Sequence, residues 1–117
     1  MIRKFKIMWR NDIVSEVWLD EESKKVKITN YSSNKAINPF IMNKDFNSVM
    51  RFLESRRFSS GRFQREKCFE EDPTINGDFW RELEWSRGQD YDDMCWIKFP
   101  EDPVRWNDNE RSVEYVN

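Results

Sequence analysis

Between Ile2 and Thr29 apolar and polar side chains alternate, break and alternate again, and this constrains the fold more than any other feature of the chain. Ile2 to Trp9 puts Phe5, Ile7 and Trp9 on one face and Lys4, Lys6 and Met8 on the other, the two-residue period of a half-buried strand. Asn11-Asp12 is a turn signal. Ile13, Ser15, Val17 and Leu19 then oppose Val14, Glu16 and Trp18. After the polar connector Asp20–Lys24, a short strand over Lys25–Thr29 turns Val26 and Ile28 inward. Three successive strands with short connections predict an antiparallel meander over residues 1–30.

The period changes beyond Asn38-Pro39, where the residue before proline is held extended. Phe46, Val49, Met50 and Leu53 follow helical spacing from Asn43 to Arg57, with Asn43 as N-cap. A second helix is expected from Ser59 or Ser60 to about Glu70, closed by Asp72-Pro73. A third is expected from Asp78 to Arg87, with Phe79, Trp80 and Leu83 on one face and Gly88 as its stop. Met94–Phe99 alternates as a returning strand, and residues 100–117 read as an irregular tail broken by Pro100 and Pro103. The expectation is one α+β domain spanning 1–117: a meander, three short helices (43–88) and a strand (94–99) rejoining the sheet.

The chain is 36% charged and only 38% hydrophobic, which invites disorder. Nine Phe, six Trp and three Tyr argue against it, since each ring can bury roughly 150–250 Å². Trp9, Trp80 and Trp96 lie in apolar patterns and read as core. Trp18, Trp85 and Trp106 either close the edges of that core or form an exposed patch. Charge is uneven: residues 1–69 carry 15 basic and 8 acidic side chains, and residues 70–117 carry 5 and 14. Either the halves attract each other within one fold, or one presents a charged binding face. Cys68 and Cys95 lack metal-site spacing and read as buried thiols of a cytoplasmic protein. No apolar run approaches the roughly 20 residues of a membrane span.

Much chemistry is excluded. There is no histidine, hence no Ser-His or Cys-His pair and no His metal site. Three scattered glycines build no phosphate-binding loop. Asp90, Asp92 and Asp93 have the oxygen ligands of a hard-cation site, but without EF-hand spacing they read as a solvated turn. No enzyme activity, cofactor or metal is expected.

The sharpest cluster is Arg51, Arg56, Arg57 and Arg62 around a helix–loop–helix junction containing Phe58. Guanidinium groups there either pair with acidic groups of the same chain or grip a partner. With Trp85 and the carboxylates Asp90, Asp92 and Asp93, they make up the expected partner-binding set. The overall acidic balance points to a protein partner ahead of nucleic acid. A homodimer is compatible with this reading.

Phe52-Leu53-Glu54-Ser55-Arg56, then Arg62, then Tyr91-Asp92-Asp93-Met94-Cys95-Trp96-Ile97-Lys98, then Trp106-Asn107 resembles the N-terminal leader region of HipA-like proteins of Firmicutes, over roughly residues 45–109. The chain departs from that pattern at Ser59-Ser60-Gly61, where the family loop usually carries a proline. Thr74–Arg87 is also unusual in its acidic and Trp content. Nothing in the chain resembles the catalytic motifs of the kinase-like part. The resemblance implies a non-enzymatic interaction module of toxin–antitoxin type that binds a kinase-like partner protein. The alternative is a phage or mobile-element inhibitor of a bacterial defence nuclease, anti-CRISPR-like, whose acidic surface occupies a nucleic-acid site.

Overall fold

The computed structural model describes residues 2–57, 70–75, 77–90 and 93–116. Strands β1 (Ile2–Trp9), β2 (Asp12–Asp20) and β3 (Lys25–Asn30) form the expected meander, and β4 (Cys95–Lys98) returns against β1. The four make an antiparallel sheet in the order β3-β2-β1-β4.

Helices cover one face of this sheet. Phe5, Ile7, Val17, Leu19, Cys95 and Ile97 point toward helix α1 (Phe46–Ser55) and helix α2 (Phe79–Ser86). There they meet Val49, Leu53, Trp80 and Leu83 in the main core. Phe40, 1% exposed, reaches that core from the irregular segment 31–45. Asn38 fixes the segment by donating to Asn30 Oδ1 and the Ser32 carbonyl and accepting from the Phe40 amide.

The α1 helix is shorter than its apolar pattern suggests. Its N-cap is Asp45 rather than Asn43, with the Ser48 hydroxyl donating to the Asp45 carboxylate. It ends at Ser55, with Arg56 as C-cap. The α2 helix starts behind Asp78, whose carboxylate accepts from the Arg81 amide at 3.2 Å, and ends when Arg87 turns left-handed (φ 53°). Of the helix expected from Ser59 or Ser60 to Glu70, only Glu70 lies within the described residues; it and Glu71 are helical.

Two further features differ from the expectations. Register slips between Ile7 and Met8, so Ile7 faces Ser15 while Met8 faces Ile13, and Val14 is the extra residue of a bulge. The slip reverses the inward phase: Val14 is buried (1%) and Ile13 exposed (38%). The tail is also not irregular. Strands β5 (Val104–Asn107) and β6 (Ser112–Tyr115) form a hairpin sheet. This hairpin lies on the other face of the main sheet, where Val104 and Trp106 pack with Met8 and Trp96 in a second, smaller core. Asn11 ties it down, donating to the Trp106 carbonyl (3.1 Å) and accepting from the Trp106 amide (2.9 Å). Trp106, for which the sequence left open an edge of the core or an exposed patch, is thus buried.

Candidate functional site: a lysine-lined sheet face

Two arginines of the expected surface, Arg56 and Arg57, are held by partners within the chain. Arg56 turns inward, its side chain only 8% exposed. It pairs in a two-pronged way with Asp93 (2.8 and 2.9 Å) and donates to the Gly88 and Cys95 carbonyls (2.6 and 2.7 Å). Burial is the largest influence and opposes its charge, but the bond to Asp93 together with the charges of Cys95, Asp93 and Asp90 outweighs this, and its pKa stands above the ordinary value. Arg57 grips the fully buried carboxylate of Glu82 at 2.6–2.7 Å and also pairs with Glu54. The Gly77 amide donates to the other oxygen of Glu82. These two arginines and Asp93 therefore hold the helices to β4 and are spent inside the chain.

The other described members of that set have separate settings. Arg51 is exposed and donates to Ser48. Trp85 is half-buried, with its indole donating to Glu71. Asp90 is half-buried. Phe58, Arg62, Asp92 and Cys68 lie outside the described residues. Among the described residues no group of three or more acidic or cysteine side chains is arranged to hold a metal. Cys95 is a buried free thiol. Burial pushes its pKa up to about 11; Arg56 opposes the rise, and Asp93 and Asp90 add to it.

Charge pairing follows a division of labour. Among the described residues every ion pair uses arginine: Arg3–Glu84, Arg10–Asp108, Arg56–Asp93, Arg57 with Glu54 and Glu82, Arg81–Asp72, Arg87–Asp102 and Arg105–Glu114. Four of these acids (Glu82, Glu84, Asp93 and Asp108) are joined to arginines of the basic first half, so the two halves attract each other within one fold. Arginine suits this work, because its planar fork satisfies two acceptors at once and is weakly hydrated.

The lysines are left over, and the sheet gathers them. Outward-facing positions of the four strands fall into two cross-strand rows. One row reads Lys4–Trp18–Lys27, and the next reads Lys98–Lys6–Glu16–Thr29. The β5–β6 hairpin covers the face beyond, at Met8 and Trp96, and leaves these rows open. With the 99–102 segment as a side wall, the rows line an open cleft of about 810 Å³. Among the described residues none of Lys4, Lys6, Lys27 and Lys98 is in an ion pair.

The ring of Trp18, half-buried, stands in the middle of its row with the Lys27 ammonium 5.3 Å from its centroid. Glu16, directly across from Lys6, is the carboxylate within the rows, and it is turned to the Tyr31 hydroxyl. Partial desolvation and the Glu16 charge raise the pKa of that hydroxyl. Tyr31 is itself 58% exposed at the rim. The face thus offers four lysine ammonium groups, the half-buried ring of Trp18 and the exposed ring of Tyr31 on an antiparallel sheet. Sequence reasoning placed Lys4, Lys6 and Trp18 on the outward side of their strands but did not connect them. Only the pairing of β4 with β1 brings in Lys98, and only the meander register brings in Lys27.

No helix of the described residues is long and apolar enough to cross a membrane. No protein-family model, curated protein or solved structure matches the chain, so the HipA-like resemblance rests on the four stretches quoted above.

Proposed function

We propose that this protein is a non-enzymatic binding module that holds an anionic macromolecule against the open face of its sheet. The observation that carries this reading is the set of four lysines around Trp18 that make no ion pair among the described residues, where the ion pairs go to arginine instead. Four ammonium groups against the carboxylates Glu16 and Glu101, with Asp102 already neutralised by Arg87, leave the cleft net positive and attract negative charge even though the whole chain carries −2. The proposal keeps the interaction-module expectation and moves the surface from the helix junction to the sheet. A partner protein, as the HipA-like resemblance implies, would meet this face with an acidic patch. The acidic-inhibitor alternative finds less support, because Asp72, Glu82, Asp93, Asp102 and Glu114 are already held by arginines.

Retention on a polyanionic resin tests the reading. The wild-type chain is expected to bind at low salt and elute as salt screens the contact. A Lys6→Gln/Lys98→Gln variant should elute earlier, and Arg51→Gln, on the helix side, should elute with wild type. Flow-through of the wild type, or equal retention of the lysine variant, would remove the proposal.

A further inference from the structure

We infer that the occupant of the sheet face is single-stranded nucleic acid, its phosphates held by Lys4, Lys6, Lys27 and Lys98 and its bases stacked on Trp18 and Tyr31. This deepens the proposed function and rests on it. Three observations favour this occupant.

First, cations and aromatic rings alternate on one surface. Within a single cross-strand row Trp18 is flanked by Lys4 and Lys27. Proteins that bind single strands without strong sequence preference combine a positive track for the backbone with rings for successive bases. An acidic protein surface would use the ammonium groups but does not present a regular succession of planar bases to the two rings.

Second, the cations are lysines. A lysine head is a point charge on a flexible stem, suited to a phosphate chain, whereas the carboxylates paired among the described residues are held by arginine forks.

Third, the dimensions disfavour a duplex. Four strands at about 4.8 Å spacing put β3 and β4 about 14 Å apart. That is wider than the roughly 12 Å major groove, which admits a two-stranded ribbon. A duplex also keeps its bases stacked internally, out of reach of Trp18. Between Trp18 and the position of Tyr31 the strands advance by about four residues, about 13 Å. The rings are thus separate platforms for different bases of one strand.

Equilibrium binding of the full chain to a fluorescently labelled twelve-nucleotide oligo-dT and oligo-rU, beside a duplex of equal length and a polyglutamate peptide, tests the inference. Single strands are expected to bind at low salt with a slope of log K against log salt near −3, from about 0.7 per phosphate neutralised by four lysines. Lys6→Gln/Lys98→Gln should weaken binding at least tenfold and make the slope shallower. Trp18→Ala should weaken it severalfold with the slope retained, and the intrinsic tryptophan quenching seen on titration should fall. Melting curves confirm that each variant is folded. Polyglutamate or duplex binding as tightly as the single strand would overturn the nucleic-acid inference and leave an anionic partner of another class. Oligonucleotide binding unchanged by either substitution would overturn it too, because the ligand would sit elsewhere. Failure of every polyanion, with the folded wild type flowing through the resin, would remove the proposed function as well.

Discussion

Lys6 and Lys98 stand directly opposite each other across the β1–β4 pair, two like charges on the same face with no acid between them. Cross-strand like charges destabilise a sheet by a few tenths of a kcal/mol, up to about 1 kcal/mol. A change that relieves the repulsion should therefore improve the fold and harm the binding. Lys98→Thr is expected to raise unfolding free energy by about 0.5 kcal/mol in denaturant titrations while lowering retention on a polyanion. Movement of both quantities in the same direction would contradict this account.

Arg56 satisfies one carboxylate and two backbone carbonyls that no water-exposed group replaces. Arg56→Ala leaves the Gly88 and Cys95 carbonyls without their side-chain donor and Asp93 with only the Cys95 amide. Removing one member of such a pair costs about 3 kcal/mol or more. Urea unfolding should show that loss, and Arg56→Lys should restore only part of it, because an ammonium cannot span the same acceptors.

Gly88 sits at φ 61° with no room for a side chain. A Cβ there would lie 2.7 Å from Ile97 Cδ1 and 3.4 Å from Arg56 Cβ. Gly88→Ala combines the left-handed penalty of roughly 1 kcal/mol with overpacking of 1–3 kcal/mol, and is expected to lower the melting temperature by several degrees. Gly77→Ala, also at positive φ (83°) but with nothing within 4 Å, should cost less and supplies the comparison.

The Cys95 thiol should be slow to alkylate in the native state. With its pKa near 11, set first by burial, its thiolate fraction at pH 8 is roughly two orders of magnitude below that of a free cysteine. In a Cys68→Ser background, reaction with iodoacetamide should be slow in buffer and fast in denaturant. Fast native reaction would show that the site opens.

Glu114 links stability of the hairpin to pH. The Asn107 amide and the Arg105 guanidinium hold its carboxylate below the ordinary value. A lowered folded pKa contributes stability that is present above the unfolded carboxylate value of about 4.3 and fades as pH falls through the folded one. The melting temperature should drop on acidification below about pH 5, and Glu114→Gln should make that drop shallower.

How much of this was legible in the chain differs from element to element. Alternation around Phe5, Ile7, Val17 and Ile28 is a local signal, and it placed three strands to within a residue or so. Val14 escaped, since a bulge depends on what the neighbouring strand does. The β5–β6 hairpin escaped because each strand has four residues and its apolar partners, Met8 and Trp96, come from distant segments. The arginines at the end of α1 drew attention by proximity in sequence. Their acceptors Asp93 and Glu82 lie 37 and 25 positions away, and no pattern announces such a pairing. The lysine face was half visible: Lys4 and Lys6 alternate outward, but their company is set by register.

The hairpin pinned by Asn11 also gives the cleft a direction. It blocks the sheet surface at the Trp96 end, while among the described residues the end near Ile2 is bordered by the 99–103 segment and Tyr115 and not by a hairpin packed over it. An elongated guest lying parallel to the strands can overhang one side only. Successive copies of this protein on a long guest would then all have to point the same way, and their closest spacing would be dictated by the width of the blocking hairpin.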